Sequence, residues 1–326
     1  MMKLVKCIAV VFLQFISFFA NAQAIDNSAS FRNINSDRYF RLHYENDFFT
    51  ATDYYYTQGI NLEYVHPALK KLGYEKFLFH LSNSKLKYGL SLEDNGYTPT
   101  SIRHEEIIYN DRPFAAALFL KPFLIALDSV KQQRTSSSVS VGIMGPRAGG
   151  EQMQKSIHKW LNNIEPLGWQ HQVANDVIVN YQIEHEKKLI AARHYFLVSS
   201  YAQANVGSFN DNVRVGFTLM LGHFYSPFEQ TKSNFAKGFK FRFHLYAQPL
   251  VSLIGYDATL QGGLFNRTSP YTISSGSITR ATFQSNFGAV FNLGKIYAEY
   301  FQSILTKEFS KGKYHRWGGV RIGFAF

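Results

Sequence analysis

The sequence predicts an all-β fold: a transmembrane antiparallel β-barrel of about twelve strands, with a short helix in one extracellular loop. Three observations predict it. Apolar residues alternate with polar or small ones along many segments. No apolar run after residue 22 is long enough for a spanning helix. The last residues alternate as well and end in Phe326, an aromatic finish common in bacterial outer-membrane barrels.

Residues 1–22 are predicted to be a secretory signal peptide. Lys3 and Lys6 form its basic region, residues 7–20 its apolar core, and Ala20-Asn21-Ala22 a small-x-small cleavage site. A membrane anchor is the alternative, but the run is short of the roughly 20 apolar residues that a spanning helix needs.

Residues 23–326 are predicted to be a single outer-membrane β-barrel domain. The chain's one cysteine, Cys7, lies in the predicted signal, so the mature protein would have neither disulfides nor thiol chemistry. Loss of the two signal lysines would lower the net charge from +11 to +9. A nucleic-acid partner is not predicted because zinc-finger, helix-turn-helix and RNA-binding signatures are missing. Phosphorylated lipopolysaccharide is the predicted partner of a basic extracellular rim, and no obligate protein partner is predicted.

The alternating segments are longer than ordinary strands. Val213, Val215 and Phe217 share one face, for example, and Phe241 and Phe243 share another. A soluble β-sandwich would alternate too, but its strands average about five or six residues, whereas a tilted membrane strand needs about 9–11. Twenty tyrosines and 30 phenylalanines suit a lipid-facing band with aromatic girdles. The predicted strands lie near 38–46, 55–66, 86–94, 112–121, 137–144, 174–186, 191–204, 212–223, 238–256, 277–293, 295–305 and 315–326.

With both termini in the periplasm, every second connection faces outward. The predicted outward connections are 47–54, 95–111, 145–173, 205–211, 257–276 and 306–314. In the third of them, Gly149-Gly150 precedes a predicted helix from Glu151 to about Asn163, which Pro166 would follow. Gln154 and His158 are spaced i, i+4 and therefore lie on one face of that helix.

The first outward connection has oxygen-bearing side chains at both ends. Asn46 and Asp47 close the first strand, and Thr57 begins the second. Such oxygens are hard ligands that suit calcium. An Asx-rich turn, in which Asn and Asp bond to their own backbone, is the alternative.

The second and third connections add basic and proton-accepting groups. Arg103, His104 and Arg112 could contact a phosphate, although Asp111 and Arg112 could equally form a local ion pair. His158 could act as a general base, because imidazole titrates near working pH, but it could also be one surface histidine among 11.

These motifs, taken in order, resemble the LpxR-type lipid A 3′-O-deacylases over almost the entire mature chain. The matching stretches are Asn46-Asp47-Phe48-Phe49, Thr52-Asp53, Tyr56-Thr57-Gln58-Gly59, Tyr97-Thr98-Pro99, Asp111-Arg112-Pro113-Phe114, Gly145-Pro146, Gly149-Gly150, Gln154-x-x-x-His158, Thr259-Leu260-Gln261-Gly262 and Trp317-Gly318-Gly319.

The resemblance implies a twelve-stranded outer-membrane barrel that uses calcium to remove the 3′-linked acyloxyacyl group from lipid A. It implies that His158 activates water and that nearby groups including Gln154 orient it. Asn46, Asp47 and Thr57 would surround the calcium and the scissile ester. The metal would polarise the carbonyl and stabilise the oxyanion.

Two positions depart from the family pattern. The family has a lysine in the second connection where this chain has Arg103-His104, so the identity of the phosphate contact is left open. An acidic family residue falls near Ile164, and Glu165 follows one place later, so a contribution of Glu165 to the metal site is also left open.

Two other functions compete with this hypothesis. An outer-membrane phospholipase with a serine nucleophile would need Ser, His and an orienting group, but no histidine is closely followed by a Ser-Asn-Gly turn. A passive pore or structural barrel would explain the long loops and polar lumen, but it gives no reason for Asn46, Thr57 and His158.

Overall fold

The computed structural model describes residues 34–52, 54–229 and 241–326. The predicted signal peptide, Asp53 of the Thr52-Asp53 motif and the start of the predicted strand at 238 lie outside the described residues.

Twelve antiparallel strands form a closed barrel in which each strand pairs with its neighbours in sequence and β1 pairs with β12. This confirms the predicted fold class and strand number. The strands are β1 (Tyr39–Asn46), β2 (Tyr55–Val65), β3 (Lys85–Thr98), β4 (Ala115–Asp128), β5 (Gln133–Met144), β6 (Asp176–Ala192), β7 (Phe196–Gly207), β8 (Asn210–Gly222), β9 (Phe241–Asp257), β10 (Ala281–Leu293), β11 (Ile296–Leu305) and β12 (His315–Ala325).

In the part of the chain that the structure describes, helical structure lies in the connections. The α-helices there are α1 (Gly150–Trp160) and α2 (Ala258–Gln261). Short 3-10 helices span Asp47–Thr50, Pro67–Leu72, Tyr74–Phe77, Pro146–Ala148, Trp169–His171 and Ser275–Ser277. Among the described residues, no helix is long and apolar enough to cross a membrane.

The largest boundary error concerns β4, which ends at Asp128 and not near 121, and the next concerns β6, which ends at Ala192 and not near 186. β5 also begins four residues before its predicted segment, 137–144. Pro122 explains the error in β4, because it cannot donate to a ladder and interrupts the alternation. The β4–β5 pairing passes from Leu120 opposite Val141 to Phe123 opposite Ser138, and then continues to the end of both strands. The predicted connection 205–211 is in fact only a tight turn at 208–209.

The strand alternation separates an apolar outer wall from a polar lumen. In β12, Ile322 and Phe324 are half exposed on the outside, whereas Arg321 is 1% exposed inside. Phe40 and Leu42 of β1 face outward in the same way. The outer wall thus has the lipid-facing character that the sequence predicts.

Several charged side chains in the lumen are paired with one another. Arg41 bonds to Glu63 at 2.7 Å. Arg321 reaches Glu45 at 2.6 Å and Glu299 at 2.8 Å. These pairs join strands around the barrel and fill space that an open channel would need.

The connections 47–54, 99–114, 145–175, 258–280 and 306–314 lie at one end of the barrel. The start of β1 and the end of β12 lie at the other, which we call the short-turn end because it includes the turns 129–132, 193–195 and 294–295. In single-chain outer-membrane barrels, the end with long loops is extracellular. The loops that contain the predicted site residues, 47–54, 99–114 and 145–175, therefore lie together at this long-loop end.

Candidate active site

The first part of the site lies on the outer wall at the top of β1 and β2. Asn46 follows Leu42 and Tyr44 on the outward face of β1. The ladder between β2 and β3 skips Thr57, since Tyr56 is opposite Tyr97 and Gln58 is opposite Gly96. The bulge leaves Thr57 as an extra residue that the sheet does not pair, which frees its side chain for another contact.

Asn46 and Asp47 form a structured turn. The Asn46 amide oxygen accepts a hydrogen bond of 2.7 Å from the Phe48 N–H, as an N-cap does, and its amide nitrogen donates to the Thr57 carbonyl. Asp47 is 1% exposed, and one of its carboxylate oxygens accepts the Tyr54 N–H. Asn46 and Asp47 thus form the turn and also remain the candidate metal ligands. The Asx-turn and calcium-site interpretations are therefore compatible.

Helix α1 packs against the outside of the barrel over β3 and β4. A Cβ at Gly150 would lie 2.5 Å from the Ala116 Cβ on the wall and 3.0 Å from the Trp169 ring. Gly149, with φ +83°, precedes the helix in the left-handed conformation that glycine adopts easily. The Gly-Gly pair therefore allows both the turn and the close approach of the helix. The helix ends at Trp160, three residues earlier than predicted.

Gln154 connects this helix to the barrel. Its amide nitrogen donates to the Thr57 hydroxyl at 2.9 Å, and its amide oxygen accepts from the Trp169 indole N–H at 2.7 Å. Because an indole N–H can only donate, the orientation of the amide is fixed. All three residues are buried. Thr57 has accepted one hydrogen bond and keeps its own O–H for donation.

His158 lies one turn after Gln154 and is 8% exposed. Its Nδ1 atom is 2.7 Å from the Ile164 carbonyl oxygen. A carbonyl only accepts, so Nδ1 must carry the hydrogen, and in the neutral ring Nε2 then holds the lone pair. This arrangement leaves Nε2 able to accept a proton.

Three of these side chains bear on the calcium that the resemblance implies. Asn46, Asp47 and Thr57 offer only oxygen donors, the type that calcium takes. Asp47 is the one carboxylate in this set, and among the described residues no three His, Cys, Asp or Glu side chains cluster to hold a metal. The donor chemistry fits calcium, whereas a soft or nitrogen-preferring metal would find no suitable ligands in it.

Arg103 and His104 are both exposed in the second connection, where a ligand could reach them. Arg112 is different. It is 2% exposed, its guanidinium donates to Glu308 and, at 2.6 Å, to the Thr259 hydroxyl, and it lies 4.5 Å above the Tyr97 ring. Arg112 therefore ties the second connection to the fifth and sixth. Its contact with a phosphate stays a prediction.

Asp111 does not pair with the Arg112 guanidinium. Its carboxylate accepts the Thr100 hydroxyl and N–H, and also the Arg112 backbone N–H at 2.8 Å. Asp111 therefore contacts the backbone of Arg112 and does not form the side-chain ion pair that the sequence suggested.

Glu165 lies on the surface beside α1. Its side chain is 70% exposed and is 3.4 Å from the Lys155 ammonium, which also pairs with Glu151 at 3.0 Å. Hydrogen bonding to Glu151, with a smaller contribution from Glu165, raises the pKa of Lys155.

Hydrogen bonds link Asn46 to Thr57 and Thr57 to Gln154, and His158 lies one helical turn after Gln154.

Sequence reasoning missed two groups in this chain of contacts. Trp169 holds the Gln154 amide, and the Ile164 backbone carbonyl orients His158. Gly168-Trp169 after Pro166 was a weak signal for a buried indole donor. A backbone carbonyl leaves no signal in residue types.

The comparisons with known proteins bear on this geometry. The family model described as outer membrane protein LpxR matches residues 7–326. Among solved structures, LpxR from Salmonella typhimurium has a TM-score of 0.69 at 19% identity, covering 88% of this chain and 100% of that chain. The beta domain of the Bordetella autotransporter BrkA has a TM-score of 0.42 at 7% identity, covering 88% and 97%. No curated protein matches significantly. The Salmonella structure confirms the barrel fold.

Proposed function

Because the chain belongs to the LpxR family of outer-membrane proteins, we propose that it is a calcium-dependent hydrolase that removes the 3′-linked acyloxyacyl group from lipid A. It is an outer-membrane β-barrel. The family assignment supports a lipid A deacylase, and the finer statements about substrate position, calcium and His158 are our proposal.

The observation that carries the proposal is where His158 and Gln154 lie. Both are buried residues of α1, which packs on the outer wall and not in the lumen, since Gln154 reaches Thr57 of the bulge. An acyl chain of lipid A lies in the outer leaflet, beside this wall. A site here could receive an ester without removing the lipid from the membrane.

His158 would act as the general base. With Nδ1–H held by the Ile164 carbonyl, Nε2 would take a proton from the attacking water. The fixed Gln154 amide would position Thr57, whose O–H remains available to the reacting ester.

Asn46, Asp47 and Thr57 would hold the calcium. When bound, the cation would supply Lewis-acid stabilisation of the developing oxyanion. Arg103 and His104, which are exposed in the second connection, would meet the phosphorylated headgroup.

The exposed end of α1 supports a lipid substrate. Trp160 is 84% exposed and Leu161 57% exposed. Large apolar side chains beside a site on the outer wall favour contact with acyl chains over contact with a soluble substrate.

The passive pore gains no support from the lumen, because Arg41 and Arg321 are buried there in ion pairs between neighbouring strands.

The test is mass spectrometry of lipid A from cells with and without the protein, in medium containing calcium. The proposal expects a lipid A species that lacks the 3′-linked acyloxyacyl group only when the protein is present. Identical lipid A profiles would overturn it.

A further inference from the structure

The connection between β2 and β3, residues 66–84, is longer than the tight turns 129–132, 193–195 and 294–295 at the same end of the barrel. In outer-membrane barrels the periplasmic end normally has short turns, such as residues 129–132 between β4 and β5 here. This connection instead contains two consecutive 3-10 helices, Pro67–Leu72 and Tyr74–Phe77. A turn that only joins neighbouring strands does not need them.

The segment folds back along the outer wall. Leu78 is 4% exposed and clusters with Tyr88 of β3 and Leu124 of β4. Val139 of β5 and Tyr181 of β6 pack against the same cluster. The connection thus crosses the outside of four strands before it returns to β3.

Side chains of that wall form hydrogen bonds with the backbone of the segment. The Phe79 N–H donates to the Tyr181 hydroxyl at 2.9 Å, and the Phe79 carbonyl accepts from the Ser137 hydroxyl at 2.7 Å. Ser137 and Val139 share the outward face of β5, where an unpaired hydroxyl would be unfavourable in lipid. Irregular backbone is tolerated at membrane depth only where protein groups satisfy it, and these two hydroxyls meet that requirement.

The start of the segment is fixed at an aromatic layer. The Tyr64 ring stacks on His66 and on Phe326 at centroid distances of 5.9 and 6.2 Å. Aromatic rings of this kind mark the level of the lipid headgroups. The residues that follow His66 therefore begin at the headgroup level.

The surface that faces away from the barrel combines cations with large apolar groups. Leu72 is 64% exposed, Phe77 78% and Phe79 50%. Lys70, Lys71 and Lys76 are exposed among them, and Glu75 is the one acid of the segment. Apolar side chains interleaved with lysines are the pattern of a segment that lies in a membrane interface.

We propose that residues 66–84 are an interfacial anchor that binds the anionic phospholipid of the leaflet at the short-turn end. Lys70, Lys71 and Lys76 contact the phosphates, and Phe77 and Phe79 insert among the acyl chains. Lipid is the occupant that fits, because the surface continues the lipid-facing wall and its charge is opposite to that of the headgroups.

Lipid selectivity tests the cationic part. The protein is refolded in phosphatidylcholine vesicles, and its association with spin-labelled phosphatidylglycerol is compared with that of spin-labelled phosphatidylcholine. We expect about a fivefold preference for phosphatidylglycerol, the size of one lysine–headgroup contact of about 1 kcal/mol. The triple variant Lys70→Gln, Lys71→Gln, Lys76→Gln loses it.

A matched triple variant at the long-loop end controls for total charge. Lys307→Gln, Lys311→Gln, Lys313→Gln removes the same number of lysines and should keep the preference. If both triple variants retain it, or both lose it equally, the segment is not the binding site.

Depth measurement tests the apolar part without altering the lysines. A fluorescent label is attached at Phe77→Cys, in a chain whose one cysteine is replaced by Cys7→Ser, and is quenched by nitroxide-bearing lipids. Val130→Cys, 91% exposed in the 129–132 turn, is the control. We expect strong quenching at 77 and little at 130. A label at 77 that is quenched by aqueous iodide instead would overturn the anchor and point to a soluble partner.

Discussion

The Nδ1 atom of His158 donates a 2.7 Å hydrogen bond to the backbone carbonyl of Ile164. The family pattern predicts an acidic residue near position 164. Here the backbone provides an acceptor for the histidine, and the neighbouring Glu165 extends to Lys155 at the surface. Orientation of the imidazole therefore does not depend on the side chain at 164.

Trp169→Phe should weaken activity although it is remote from the ester. The variant keeps the ring that packs 4.9 Å from Phe114 but removes the donor to Gln154. A buried, unsatisfied amide oxygen costs about 1–3 kcal/mol, so we expect turnover to fall by about 5- to 150-fold. Tyr195→Phe, at an exposed position in the turn between β6 and β7, is the control for kcat. Equal activity of the two variants would show that activity does not require the hydrogen bond from Trp169 to the Gln154 amide.

Gly150→Val should displace α1 from the barrel. The added side chain would meet Ala116 on the wall, where even a Cβ lies at 2.5 Å. A misplacement of about 1 Å can cost 10²-fold in rate, and we expect a loss of about that size with the barrel still folded. Heat-modifiable migration on gels reports folding, and acyl release reports activity.

Gly276→Val is its control, because a Cβ there meets nothing within 4 Å. Wild-type activity of Gly150→Val would contradict close packing of α1 on β4.

The sequence predicted the barrel better than the site. Strand alternation is a local signal, and it placed all twelve strands, failing mainly where Pro122 interrupts β4. Asn46, Thr57, Gln154 and His158 were found through motif order, and the structure then joined the first three by hydrogen bonds.

Contacts between residues far apart in the sequence could not be predicted from local sequence patterns. The partner of Arg112 proved to be Glu308, 196 residues later in the chain, and nothing local in the sequence points to it. The fold-back of residues 66–84 also depends on Ser137 and Tyr181, which are distant in sequence.

Asp47→Ala should raise the calcium concentration needed for half-maximal activity at least tenfold. It removes the only carboxylate from the proposed oxygen set, and calcium affinity follows ligand charge. Glu165→Gln should leave the requirement unchanged, since Glu165 is 70% exposed and pairs with Lys155 at the surface. Calcium-dependent thermal stabilisation of the two variants gives a second readout. Full activity of Asp47→Ala in a chelator would mean that Asp47 serves only the turn.

Activity should fall as the pH is lowered through the range in which imidazole becomes protonated. A protonated ring has no lone pair on Nε2 and cannot accept the water proton, so the active form is the one present at higher pH. The acidic limb should persist in His80→Asn, which changes an exposed histidine at the other end of the barrel. A rate that is flat with pH across this range would contradict a histidine base.

The central claim is that His158 removes a proton from the attacking water. The most direct measurement is release of the 3′-linked chain from purified lipid A, with calcium, by refolded wild type and His158→Asn. The account predicts a folded variant whose turnover is at least about 10²-fold lower, with Gln154→Ala impaired less. Deacylation by His158→Asn at the wild-type rate would contradict the account.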